Sequence, residues 1–404
     1  MIDMRRFGFA CVIGLLTLSE LGLASQTLAP PTRDYLVLVG SEAADRIAVV
    51  RFGPRGISVA SERYIGWSQT ELMGPHGVAL SPDGRSYYVT LAHGNPEGYL
   101  QRFDTLTGAY EGGVQLGMFP ATAQVSPDGH FIYVANFDLW GEPLPSSISI
   151  VGTASMAEIA RVETCIMPHG SRFTADGRRH YSVCMMDDAL IEIDSRIMEV
   201  ARHFFVAAGK ERGGAGVPEI SHRAHAHHSG GMAHGMEPPK PGDGSCEPTW
   251  AQPDSAGRRV WVACNRSSEI VEIDAASWTL ARRIPAAPGV YNLALSHDER
   301  LLIATNRRDQ SVSVFDAGTG RKLKRIPTTR GVLHGAVVSD DDRYAFVTME
   351  GSNGEPGAMN VIDLRTLARV ASIELGAQAG GIDFWKSEDP AAPTIIPRPP
   401  ERPR

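Results

Sequence analysis

The chain is short of basic residues. It carries 39 Lys and Arg against 46 Asp and Glu, for a net charge of −7, and no block concentrates either sign. A nucleic-acid surface or a polybasic membrane anchor needs a dense cationic patch, so neither is expected. Aromatics are sparse at 7%. After the first two dozen residues no apolar run approaches the ~20 residues that a helix needs to span a bilayer. Low complexity is absent too: 42 Gly and 27 Pro in 404 residues exceed the average but fall short of a structureless chain. A hydrophobic share of 43% is enough to bury a core, which excludes wholesale disorder. What remains is an excess of turn-forming residues without aromatic richness.

Residues 1–24 read as a secretory signal. Arg5 and Arg6 precede a short apolar run from Phe7 to Leu18, and Gly22-Leu23-Ala24 supplies small residues for cleavage. Glu20 interrupts the run, which argues against a membrane anchor, and Cys11 lies too early for a lipoprotein site. The expectation is therefore a periplasmic or secreted protein with no transmembrane span. Cys165, Cys184, Cys246 and Cys264 remain after cleavage, an even number that permits disulfides. The end of the chain, 387–404, is Pro-rich and reads as a disordered tail.

Self-comparison reveals a repeat of about 45 residues. The clearest copies start at Pro75 and Pro120, each passing through Ser-Pro-Asp-Gly into Tyr-Tyr-Val-Thr90 or Ile-Tyr-Val-Ala-Asn136. Weaker copies start at Pro168, Pro248, Val290 and Leu333. In each, a short apolar strand meets an Asp/Gly turn in which Pro presets φ and Gly accepts a positive φ. A second strand follows, then a third ending in Asp (Asp194, Asp274, Asp316, Asp363), then a fourth. The terminal aspartates read as turn caps rather than catalytic acids. Four short period-two strands per repeat is the pattern of a propeller blade. Six complete copies span Pro75 to Leu375. Tyr35–Val39 and Arg46–Val50 at one end, with Gly380–Phe384 at the other, would complete a seventh. The prediction is one all-β domain over 34–386: a seven-bladed β-propeller of four-stranded antiparallel blades, its ring closed by N- and C-terminal strands sharing one blade.

The tetrad ending the second strand appears as Tyr88-Val-Thr-Leu91, Tyr133-Val-Ala-Asn136 and Ile303-Ala-Thr-Asn306. On these residues the chain resembles the YVTN family of β-propeller repeats over roughly Tyr35 to Trp385. Similar propellers include the lactonase family, the propeller of nitrous-oxide reductase, the methylamine dehydrogenase heavy chain and exported proteins of unassigned role. The resemblance implies a fold; a fold shared so widely does not fix chemistry.

Chemistry is expected where loops converge over the channel. His76, His169 and His334 begin three first strands, where the other copies carry Ala121, Thr249 and Tyr291. Three imidazoles at one mouth suit a metal site with an open position, or structural hydrogen bonding. Cys184 and Cys264 fill the Asn slot of the tetrad, with Cys165 and Cys246 at the opposite end of the same hairpins. This favours disulfides Cys165–Cys184 and Cys246–Cys264, with a copper or zinc thiolate site as the alternative. Met185, Met186 and Met349 lie nearby in register. An insertion over 208–245 carries His222, His225, His227, His228, Met232, His234 and Met236, a composition that binds copper, nickel or zinc through imidazole and thioether. His93, Asn136, Trp140 and the Glu350–Gly357 loop complete that face.

The reading that follows is an exported, monomeric binding or scaffold protein. It presents a His/Met-rich, metal-binding face, with copper or zinc as the cofactor, to an unknown small ligand or protein. A copper-type oxidoreductase or electron-transfer partner is the alternative, and a lactonase-like hydrolase, by family analogy, a weaker one.

Overall fold

The structure, a computed structural model, describes residues 29–67, 70–94, 97–139, 144–219 and 245–397. The expected signal segment, Trp140 and the seven His and Met residues from His222 to Met236 lie outside the described residues. Among the described residues there are 29 strands and no α-helix, only a three-residue 3-10 turn at Glu42–Ala44.

The strands form five four-stranded antiparallel sheets and one of nine strands. The nine-stranded sheet consists of two antiparallel halves, 168–215 and 248–285, joined by a single parallel bridge between Gly170 and Trp250. The arrangement is consistent with a propeller. The two chain ends share a sheet, in which Asp34–Ser41 pairs antiparallel with Ala379–Glu388.

Burial explains the strand patterns. Second and third strands are covered on both faces by neighbouring sheets and so read as continuous apolar runs. Tyr344–Met349 (YAFVTM) is buried at every position. Fourth strands keep one face in solvent, as in Lys322–Pro327 (KLKRIP), where exposed and covered positions interleave. Between sheets the side chains interlock: Tyr35 and Phe52 meet Tyr344 edge-on, with ring centroids 5.0 and 5.1 Å apart. Edge-to-face geometry of this kind adds to area burial.

The turns follow the chemistry read from sequence. In Ser81-Pro-Asp-Gly84, Gly84 sits at φ +68° and its N–H donates to Ser81 O at 2.8 Å. The strand-ending aspartates accept backbone N–H groups of the following turn: Ser277 to Asp274 at 2.8 Å, Thr319 to Asp316 at 2.7 Å, Thr366 to Asp363 at 3.1 Å. They are caps.

The innermost strands hold the sheets together. Their first residues pair with the tetrad's last position, as in Pro75 with Leu91 and Leu333 with Met349, and a register shift follows. The tetrad threonine fills that irregularity. Gly77 N–H donates to Thr90 Oγ1 at 2.7 Å and Gly335 N–H to Thr348 Oγ1 at 2.9 Å. Each hydroxyl then donates to the next sheet, Thr90 to Ala121 O at 3.3 Å and Thr348 to Gly380 O at 2.6 Å. Thr305 does the same between Asn292 N–H and His334 O. Where the tetrad carries Ala263 instead, Thr249 of the inner strand reaches Tyr291 O at 2.7 Å. The inner strands approach so closely that a Cβ on Gly77 would lie 2.6 Å from Ala121 O.

One expectation holds and two change. Disulfides join Cys165 to Cys184 and Cys246 to Cys264, so the four sulfurs are cross-links and the thiolate metal site is set aside. The insertion does not begin as a loop: Arg212–Ala215 pairs with Glu199–Phe205 as a fifth strand. The tail is not free from 387. The last strand runs to Glu388, whose carboxylate accepts Thr394 N–H at 2.9 Å, and Arg51 donates to Thr394 O at 3.0 Å. Arg51 also bridges Asp34 and Glu388 at 2.8 Å each, which fastens this end to the first strand.

Two outcomes are expected. Thr348→Val strands Gly335 N–H and Gly380 O and should cost about 2–4 kcal/mol in urea unfolding, whereas Thr348→Ser should recover most of that. Replacing both cysteines of either disulfide by Ala removes a closed loop of 18 or 19 residues. The unfolding free energy, measured under oxidising conditions, should fall by roughly 3 kcal/mol per bridge.

Candidate functional site

The second residues of four inner strands, His76, Ala121, His334 and Gly380, line a narrow cavity, and those of the others stand beside them. His76, His169 and His334, singled out by register, are brought together there. The His76 ring lies 5.0 Å from His334 and 6.5 Å from His169, centroid to centroid. Tyr291 occupies the equivalent position between them, 5.7 Å from His169 and 5.1 Å from His334.

The hydrogen bonds fix how the imidazoles present themselves. His169 Nδ1 is 2.8 Å from Thr249 O. A carbonyl only accepts, so Nδ1 carries the proton and Nε2 is the lone-pair face, toward which the Tyr291 hydroxyl donates at 3.3 Å. The same hydroxyl is 3.5 Å from His334 Nε2. His76 Nδ1 is 2.6 Å from Glu42 Oε2, and the other oxygen of Glu42 is 2.6 Å from His93 Nε2. Glu42 thus bridges two imidazoles and leaves His76 Nε2 buried without a partner. Phe119 lies against His76 and Phe137 against His169, giving the mouth an apolar flank.

A second charged pair stands beside this cluster. Arg307 grips Glu350 with two bonds of 2.8 and 3.0 Å, and its guanidinium carbon is 5.0 Å from the Tyr291 ring centre.

Electrostatics separate the three histidines. Burial alone would lower His76, but the charge and hydrogen bond of Glu42 override it and hold it above the usual value. Burial would likewise raise Glu42, and the two imidazoles hold it far below the carboxylate range. His169 is pushed down to about 3 by burial and by the charges of His76 and Arg307. Burial and the same charges take His334 well below its ordinary value. Glu42 therefore favours the charged form of His76, in which both ring nitrogens donate, while burial favours the neutral rings of His169 and His334.

The donor types suit a metal: nitrogen ligands whose far ring nitrogens are held by Glu42 and by a backbone carbonyl. The spacing does not. Among the described residues no group of three or more His, Cys, Asp or Glu side chains is arranged to hold a metal ion. Tyr291 stands between His169 and His334. As placed, these side chains offer hydrogen-bond donors and acceptors rather than a metal-ligand set.

Other expectations sort differently. His93 joins the site through Glu42, and Glu350 through Arg307. Asn136 is fully buried and donates to Ser147 and Ser149, so it is structural. Met349 is core packing. Sequence reasoning missed Glu42 and Arg307, although the repeat contains the signal. Both occupy the residue after the tetrad, as does Glu350, because Ser41, Asn306 and Met349 are the residues paired with the starts of inner strands.

The prediction from these shifts concerns pH. His169 titrates near 6.5 when unfolded but only near 3 when folded. The unfolded chain therefore binds the extra proton first, and stability falls as pH drops from 6.5 toward 3. His169→Asn keeps a donor to Thr249 O and removes the titration. In denaturant unfolding at pH 8 and pH 5, the variant's loss between the two should be smaller than that of the parent by about 2 kcal/mol.

Antiparallel sheets whose innermost strands line one cavity are consistent with a protein of the β-propeller type. Solved structures agree on the fold. The periplasmic gluconolactonase of Pseudomonas aeruginosa superposes with a TM-score of 0.63 at 18% identity, covering 87% of this chain and 99% of its own. Hydrazine synthase of Kuenenia stuttgartiensis gives 0.57 at 18%, covering 78% and 91%. A functionally unknown protein from Desulfotomaculum acetoxidans gives 0.63 at 12%, covering 87% and 98%. At such identities the likeness shows the fold alone. No protein-family model matches the chain, and no curated protein matches it in sequence. No helix among the described residues is long and apolar enough to cross a membrane.

Proposed function

We propose that this is an exported binding protein: a seven-bladed, closed propeller of YVTN type that takes a ligand at its histidine-ringed mouth and carries copper or zinc on its His/Met-rich segment. The observation that carries the binding role is the Glu42–His76 pair, which leaves Nε2 of a cavity-lining histidine buried without a partner beside two further imidazoles and Phe119. A donor so held suits a ligand oxygen. Support for a closed ring comes from the cavity lining, which draws on all seven inner strands from His76 to Ile382. It comes also from the packing of Tyr35 and Phe52 on Tyr344 and Phe346, which joins the first strands to the last sheet. Two disulfides suit an oxidising compartment such as the periplasm.

Metal is assigned to His222, His225, His227, His228, Met232, His234 and Met236 on composition. In the oxidoreductase alternative, His76, His169 and His334 would close on one ion instead. Metal content after loading with copper or zinc separates the two. Replacing 220–244 by a Gly-Ser linker spares the strand at Arg212–Ala215 and the disulfide at Cys246. It should remove most bound metal, while His169→Ala should retain it. Metal that survives the replacement and disappears in His169→Ala would overturn this assignment in favour of the oxidoreductase.

A further inference from the structure

The cavity that His76 and His334 border, with Arg172, Trp250, Thr122 and Asn292 in the same lining, holds only about 40 Å³. That admits a few water-sized atoms and excludes a sugar or nucleotide. Its lining changes character with depth. Arg172 lies three residues beyond His169 on the strand Pro168–Phe173, about 10 Å further along the channel. Among the described residues no carboxylate comes within ion-pair distance of its guanidinium. The one hydrogen bond that it donates goes to Ser171 O at 3.0 Å, and the Trp250 ring centre lies 4.6 Å from its central carbon. Even a half-buried cation without a contacting anion is costly.

The surrounding polar atoms are unsatisfied as well. Trp250 Nε1, Thr122 Oγ1, Ser171 Oγ and Asn292 Oδ1 are buried without hydrogen-bond partners. Their residues are no more than 6% exposed. Native interiors rarely leave so many such groups together. Trp250 and the guanidinium only donate, hydroxyls donate by rotation, and the Asn292 amide offers its NH₂ when turned over. Asp383 is the acid whose charge reaches Arg172, but its oxygens already accept N–H groups from Leu80 at 2.8 Å and Phe384 at 2.9 Å. Burial also raises its pKa, favouring the uncharged acid.

The geometry points to a second binding site in the channel waist, in which Arg172, Trp250 Nε1–H and Thr122 Oγ–H bind a small planar oxoanion of the carboxylate class. The guanidinium matches two coplanar oxygens through parallel N–H donors, and the indole N–H and the hydroxyl complete the ring of donors. The site lies deeper than the mouth and requires neither metal nor the mouth's ligand.

Formate is the probe, titrated calorimetrically into full-length, metal-stripped protein at constant ionic strength, with sulfate as a tetrahedral control. One-to-one saturable binding is expected, with Kd on the order of 1 mM for three heavy atoms. Arg172→Gln should weaken formate at least tenfold, and Trp250→Phe several-fold. Sulfate should bind at least tenfold more weakly than formate. Should Arg172→Gln fail to fold, Trp250→Phe reads the same site. Absence of saturable binding up to 50-fold above that Kd overturns the proposal. So does a folded Arg172→Gln or Trp250→Phe with the parent's affinity, or sulfate that binds as tightly as formate. Because the protein is stripped of metal, failure here leaves the metal assignment untouched.

Discussion

The close approach of the inner strands is the constraint on which the rest of the structure depends. At Gly77 and Gly335 the neighbouring backbone leaves no room for a Cβ. Thr90, Thr305 and Thr348 convert that proximity into hydrogen bonds by accepting an N–H from their own sheet and donating to a carbonyl of the next. A hydroxyl is the smallest group that can do both, and each of these threonines is fully buried. In the region of Cys165–Cys184 and Cys246–Cys264 the tetrads lack this threonine, and covalent bonds tie the hairpins instead.

The same constraint builds the site. Where the third residue of an inner strand is Gly, backbones meet; where it is Thr122, Trp250 or Asn292, a side chain lines the cavity. The second residue supplies the histidines and Tyr291, and the residue after the tetrad supplies Glu42, Arg307 and Glu350. The position of each residue in its repeat therefore sets its depth and its chemistry. Glu42 illustrates the consequence: a carboxylate on a three-residue turn favours the charged form of His76, and charge there favours neutral His169 and His334.

Legibility in the sequence followed locality. The Ser-Pro-Asp-Gly turns, the capping aspartates and the strand order were readable because turn chemistry and period-two burial act over a few residues. Register placed His76, His169 and His334 together because equivalent positions in a repeat share a place in space. It gave no warning of the strand at Arg212–Ala215, whose Gly-rich sequence resembles a loop and is held only by its partner Glu199–Phe205. Nor did a Pro-rich composition reveal that Arg51 fastens the residues beyond Ser387, since the partners are more than three hundred positions apart.

By itself the sequence determined the repeat, the turns, the cysteine pairing it favoured and the ring of histidines, because each depends on spacing along the chain. Only the tertiary structure decided what those histidines are. Their charge states, the bridge from Glu42 to His76 and His93, the Tyr291 hydroxyl between two rings and the unpaired guanidinium of Arg172 arise from groups that burial brings together from distant repeats. In water each would titrate or hydrogen-bond as an ordinary side chain; packed at the cavity, each is set by its neighbours.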